Sequence, residues 1–148
     1  MKVNLNEVPA SGLLLEETKT GKLLDVERTD IAFNSPVHIR ASIKRENNQV
    51  QIELNISTQM QFVCARCLEE GQKLIKKDIS IIRPIDKDSV VDLTQIAREE
   101  IILDYPLKLL CREDCKGLCP RCGKNLNVNS CDCKTKSKSS SSHINLNL

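Results

Sequence analysis

Val50-Gln-Ile-Glu-Leu-Asn-Ile-Ser-Thr-Gln-Met-Gln-Phe62 is the most regular stretch of the chain. Val50, Ile52, Leu54, Ile56, Met60 and Phe62 share one parity, with Thr58 between them, while Gln51, Glu53, Asn55, Ser57, Gln59 and Gln61 hold the other. A period of two with one apolar and one polar face is the signature of a half-buried antiparallel strand. The run exceeds the usual strand of about 5–6 residues, so a bend or bulge is expected within it.

Upstream, Val37, Ile39, Ala41 and Ile43 alternate with His38, Arg40, Ser42 and Lys44. Glu46-Asn47-Asn48-Gln49 supplies turn chemistry between the two runs, so 37–45 and 50–62 form a hairpin. His38 lies on the polar parity and is expected in solvent, not on a metal. Downstream, Leu74 to Ile82 is a third strand, completing a meander. Asp92-Leu-Thr-Gln95 opens a helix with a capping-box variant, and Pro106 stops it. Leu93, Ile96, Ala97 and Ile101 lie on neighbouring turns of that helix, and Ile102 and Leu103 are expected to widen its apolar face. The N-terminal third is less regular. Val3–Leu5 and Leu13–Leu15 suit strands, and Leu23–Ile31 suits a strand or a helical turn.

The eight cysteines fall in close pairs: Cys64 with Cys67, Cys111 with Cys115, Cys119 with Cys122, and Cys131 with Cys133. Paired thiolates this close suit a tetrahedral zinc ion, because a short turn aims both sulfurs at one point. Within Cys119-Pro-Arg-Cys122-Gly123, proline fixes one turn position and glycine lets the backbone fold beneath the metal. A disulfide framework would require a secreted chain, and Met1 to Glu7 lacks the apolar stretch of a signal peptide. A redox Cys-x-x-Cys belongs at a helix N-terminus, whereas Cys64 follows a strand.

Four pairs can combine into two sites in three ways. The favoured partition joins Cys64, Cys67, Cys111 and Cys115 in one site and Cys119, Cys122, Cys131 and Cys133 in the other. The second set is local, closed over the loop Gly123–Ser130 with its three turn-tolerant asparagines. The first set clamps the end of the sheet to the segment leaving the helix. A single site, with Cys64 and Cys67 packed as free thiols, is the alternative.

The expected architecture is therefore α+β. An antiparallel sheet, a meander with barrel-like closure as one form, is packed by one main helix and carries a C-terminal zinc-knuckle module. Residues 1–110 form the sheet domain with its helix near 92–104, and 111–133 the cysteine-rich zinc module. Residues 134–148 read as a disordered basic, serine-rich tail.

Charge is unevenly divided along the chain. Residues 1–107 hold 14 Lys/Arg against 17 Asp/Glu, and residues 108–148 hold 8 against 3. Arg121, Lys124, Lys134, Lys136 and Lys138 are thus candidates to meet a phosphate-rich partner. Phe33, Phe62 and Tyr105 are the only aromatics, too few and too scattered for a base-stacking platform. No apolar run reaches membrane-spanning length. Neither a Gly-rich phosphate loop nor a nucleophile–histidine motif appears, and cysteine supplies every convincing metal ligand, so no enzyme and no small-molecule substrate are expected.

Cys64-Ala-Arg-Cys67-Leu68 closing a sheet, Glu99-Glu-Ile-Ile-Leu-Asp-Tyr-Pro-Leu107 on the helix, and Cys115-Lys-Gly-Leu-Cys119-Pro-Arg-Cys122-Gly-Lys-Asn-Leu-Asn127 with Cys131-Asp-Cys133 together resemble the YceD family, in its form with a cysteine-rich C-terminal extension. The resemblance implies a non-enzymatic cytoplasmic factor that supports accumulation of large-subunit ribosomal RNA. Its partner would be a large-subunit precursor, met through rRNA or a ribosomal protein. Two other classes compete with that reading: a zinc-ribbon module of transcription machinery, and a thiol redox protein.

Overall fold

The computed structural model describes residues 1–131 and Cys133. Its centre is the hairpin of β4 (Val37–Glu46) and β5 (Gln49–Val63), turned at Asn47 in the left-handed region with φ 54°. Asparagine tolerates that conformation better than most residues. Strand β6 (Glu70–Pro84) pairs along all of β5, from Gln49 opposite Pro84 to Val63 opposite Glu70. The other edge of β5 is shared, by β4 up to Ser57 and by the short β3 (Ile31–Ala32) at Gln61 and Phe62. Strand β2 (Leu13–Lys19) extends the sheet beyond β4.

Two expectations are corrected here. The pairing of β5 with β6 is continuous and carries no bulge, and on the other edge residues 58–60 fall between the reach of β4 and that of β3; the apolar parity runs unbroken from Val50 to Phe62. Nor does the sheet close into a barrel. Among the described residues, strand β2 pairs only with β4, and β6 only with β5. Closure is unnecessary because other elements cover the apolar face. These are the helix α2 (Leu93–Leu103) and a small ribbon of β1 (Lys2–Asn4) with β7 (Val90–Asp92). Between the early strands lies a one-turn helix, α1 (Gly21–Leu24), with Thr20 as its N-cap, so 23–31 is mostly loop and not one element.

The core is aliphatic. Val37, Ile39, Ala41 and Ile43 meet Val50, Ile52, Leu54, Ile56 and Met60, with Ile75 from β6 and Leu93, Ala97 and Ile101 from α2. Each large side chain buried there contributes about 1.5–3 kcal/mol. The helix begins where its sequence signal stands: Asp92 Oδ1 accepts from the N–H groups of Thr94 and Gln95 at 3.1 and 3.3 Å. The Gln95 side chain donates to Glu99 and not back to the cap, so only one arm of a capping box forms. The buried stripe is narrower than the sequence suggests. Ile102 and Leu103 are 37% and 76% exposed, because the sheet touches only the 93, 97 and 101 positions closely.

The end of α2 is tied down on two sides. Asp104 receives Lys77 at 2.9 Å and Lys73 at 3.3 Å, from the core-facing parity of edge strand β6. Inward-pointing charges of this kind also discourage edge-to-edge pairing. Tyr105 stacks on Phe33 at 6.4 Å between ring centroids, and its hydroxyl donates to the Val26 carbonyl. Burial pushes that phenol up to about 12. These anchors set the path of the chain from the helix back towards the end of β5.

Candidate metal centre

Where β5 ends, the chain makes a tight knuckle before β6 begins. Cys64 N–H donates to Glu69 O at 2.8 Å and Leu68 N–H to Cys64 O at 3.0 Å, with Leu68 in the left-handed region at φ 60°. A non-glycine residue held there costs about 1 kcal/mol or more, which the surrounding contacts must offset. The segment leaving α2 docks on this knuckle: Ala65 N–H donates to Leu109 O at 2.7 Å, and Leu109 is buried. Arg66 reaches across and donates to Cys115 O at 3.0 Å.

This docking brings four sulfurs together. Cys64 Sγ lies 3.7 Å from Cys115 Sγ, and Cys67 Sγ lies 3.6 Å from Cys111 Sγ. All four sulfurs fall within 4.8 Å of one another. Thiolates about 2.3 Å from a tetrahedral ion stand about 3.8 Å apart, so the quartet fits a single metal ion. Cys64, Cys67 and Cys115 are buried, with Leu110 and Leu118 packed against them, while Cys111 is exposed.

Cys119, Cys122, Cys131 and Cys133 form a second quartet, whose sulfurs also fall within 4.8 Å of one another. It is built on a small hairpin in which Leu118 bridges Asn125, Cys119 N–H donates to Lys124 O at 2.8 Å, and Gly123 N–H donates to Cys119 O at 2.9 Å. Gly123 turns with φ 72°, the left-handed geometry that glycine adopts without a Cβ penalty. Here Cys119 is buried, Cys122 exposed, and Cys131 and Cys133 half-buried. None of the eight thiols is in a disulfide.

The electrostatics of the two quartets run in parallel. Burial pushes the Cys64 thiol up, but the N–H groups of Cys67, Cys111 and Arg66 outweigh it and hold the thiol at about 6. The N–H groups of Cys122 and Arg121 likewise hold Cys119 at about 6. Cys115 is also lowered, chiefly by the Asn127 amide, whereas Cys67, Cys111, Cys131 and Cys133 move the other way. Burial and the neighbouring thiols raise Cys111 to about 12, and Cys122 beside it raises Cys133 to about 12. Without a cation, four thiols this close cannot all ionise. A divalent metal relieves that repulsion and displaces the protons.

Of the candidate phosphate-contacting residues, Arg121 and Lys124 are exposed beside the second quartet. Lys134, Lys136 and Lys138 lie outside the described residues. His38 is exposed on the sheet, near Thr18 Oγ1 at 3.3 Å and away from both quartets. Sequence alone assigns no role at the first quartet to Arg66, inside the first Cys-x-x-Cys, or to Asn127, a turn residue of the second quartet's loop, yet both touch Cys115. Nothing in their local spacing marks them.

Comparison with known proteins places this arrangement in a class. The family model for the large ribosomal RNA subunit accumulation protein YceD matches residues 72–143. The chain is 28% identical over 138 residues to the uncharacterized protein YlbN of Bacillus subtilis (strain 168), covering 84% of this chain and 80% of that protein. It is 36% identical over 62 residues to the chloroplastic large ribosomal RNA subunit accumulation protein YCED homolog 1 of Zea mays. That second match spans 42% of this chain and 21% of the maize protein. No solved structure matches. These matches make the chain similar to the YceD family over its C-terminal half. Among the described residues, no helix is long and apolar enough to cross a membrane.

Proposed function

We propose that this protein is a non-enzymatic cytoplasmic assembly factor that supports accumulation of large-subunit ribosomal RNA, held in shape by two structural zinc ions. The match of residues 72–143 to the family model supports the biological role. The observation that carries the chemistry is the pair of sulfur quartets. All-thiolate coordination favours zinc, and four thiolates saturate a tetrahedral ion, leaving no position for a reacting water. Cys64, Cys67, Cys111 and Cys115 hold one ion, and Cys119, Cys122, Cys131 and Cys133 the other.

In this reading residues 1–110 are the sheet domain and 111–133 the zinc module, with the module's first pair shared with the sheet end. Its partner is a large-subunit precursor. Arg121 and Lys124, with Lys134, Lys136 and Lys138 beyond, meet phosphates, so any RNA affinity falls steeply with salt. Two measurements test the proposal. Metal analysis of purified protein should return close to two zinc ions per chain. A clean deletion strain should lose large-subunit rRNA relative to small-subunit rRNA. Unchanged rRNA ratios would remove the assembly role, and protein without zinc would remove the metal reading.

A further inference from the structure

The two quartets touch through one side chain. Asn127 sits in the loop Gly123–Ser130, whose ends are the second-quartet ligands Cys122 and Cys131. A turn built on Asn125 shapes the middle of that loop: Asn125 Oδ1 accepts the Asn127 N–H at 3.0 Å, and Asn125 O accepts the N–H groups of Val128 and Asn129 at 3.2 Å each. The Asn127 amide thereby reaches back to the first quartet. Its Oδ1 accepts the Lys116 N–H at 2.8 Å, and its Nδ2 donates to Cys115 Sγ at 3.3 Å.

The first of these bonds fixes the second. Because a backbone N–H occupies Oδ1, the oxygen must face Lys116 and the amide N–H must face the sulfur. A donor aimed at a ligand sulfur stabilises its ionised form, the form that binds metal. The hairpin that carries the loop is also pressed onto the first knuckle. Leu126 N–H donates to Gly117 O at 2.9 Å, and a Cβ on Gly117 would stand 3.2 Å from Arg66 O.

We infer that Asn127 is a positioning residue that couples the two metal sites, so that an ion in the Cys119/Cys122/Cys131/Cys133 quartet strengthens metal binding by the Cys64/Cys67/Cys111/Cys115 quartet. This rests on the zinc reading above. Closing the second quartet pins both ends of the loop and orders Asn127 against Cys115. With the second quartet empty, the loop ends are free and the amide must be ordered when the first ion binds.

The test is a coupling cycle read by zinc competition against a chromophoric chelator. Its forms are the full chain, Asn127→Asp, Cys122→Ser with Cys133→Ser, and the combination of all three substitutions. Asn127→Asp keeps an acceptor for Lys116 but replaces the donor at the sulfur with an anionic oxygen. The expected result is an about tenfold loss of first-site affinity in Asn127→Asp, in line with other outer-shell metal contacts. Emptying the second site should give a loss of similar size. The combination should be no worse than the weaker of the two, because both remove one interaction.

Cobalt loaded into the first site of the Cys122→Ser/Cys133→Ser protein supplies a second readout. Its sulfur-to-metal charge-transfer band should match that of Asn127→Asp and differ from that of the full chain's first site. Asn127→Ala, which adds no charge, replaces Asn127→Asp if the latter fails to fold. First-site affinity that is unchanged by emptying the second site, or additive losses in the combination, would overturn the coupling. Absence of zinc binding by the full chain would instead overturn the zinc reading itself.

Discussion

The two sulfur quartets have the same composition but opposite relations to the fold. The first joins sulfurs 51 and 44 residues apart in sequence, and three of its four cysteines are buried at the end of the sheet. The second is closed within one short stretch on its own hairpin, and only Cys119 is buried. Identical ligand chemistry therefore does different structural work. One quartet welds the β5–β6 knuckle to the segment leaving α2, and the other organises its own hairpin, whose Asn127 reaches Cys115 of the first.

The most severe way to break this contrast is to remove the first quartet's sheet-side ligands. Cys64→Ser with Cys67→Ser should release one zinc ion and destabilise the fold by about 4 kcal/mol, the loop-closure value for a cross-link spanning 44 residues. Hydrogen exchange should accelerate at 64–69 and 107–115 together. Retained zinc, or protection lost at one segment alone, would break the weld.

A smaller effect is expected at Asp104, which holds the end of α2 so that the following chain reaches the knuckle. Burial alone would raise its carboxyl, but Lys77 and Lys73 outweigh burial and hold it below the ordinary value. A depressed folded value means stability that is full above the unfolded carboxylate range and lost as pH falls through the folded value. Asp104→Asn should therefore cost about 1–2 kcal/mol at neutral pH. It should also flatten the acid limb of the stability curve below about pH 4, the usual aspartate range. An acid limb as steep as in the parent protein would show that the clamp does not titrate with folding.

Thr58 provides a control in the core, away from both quartets. Among the described residues its hydroxyl is the one buried side-chain oxygen or nitrogen without a hydrogen-bond partner. Thr58→Val removes the unpartnered group and should raise stability by about 1 kcal/mol with zinc content unchanged. A loss of stability would mean that the hydroxyl is satisfied in solution. The smallest effect on the sheet belongs to the second quartet. Cys122→Ser with Cys133→Ser should release one zinc ion while exchange protection of β5 and β6 stays within about 0.5 kcal/mol of the parent, as for other changes outside the core. A large loss there would erase the distinction between the quartets.

Much of the sheet was legible because its cause is local. The parity from Val50 to Phe62 marks one face for burial whatever surrounds it, and Asp92 caps a helix through its own side chain. The third strand is longer than the expected Leu74–Ile82, because Glu70 to Lys73 and Arg83–Pro84 look polar or breaking until β5 pairs with them. The open sheet and the exposure of Ile102 and Leu103 depended on which element covers the apolar face, a tertiary question.

By itself the sequence determined the alternating strands, the helix start and the close pairing of the cysteines, since each depends on residues one to four positions apart. Only the tertiary structure decided which pairs converge. The meeting of the 64–67 knuckle with 111–115 requires the full register of β5 on β6 and the anchoring of Asp104 and Tyr105. The Asn127 contact with Cys115 required the same step. A hydrogen bond across a non-local seam has no period or spacing to announce it. It exists because two backbones, each shaped by its own turns, are packed within reach of one another.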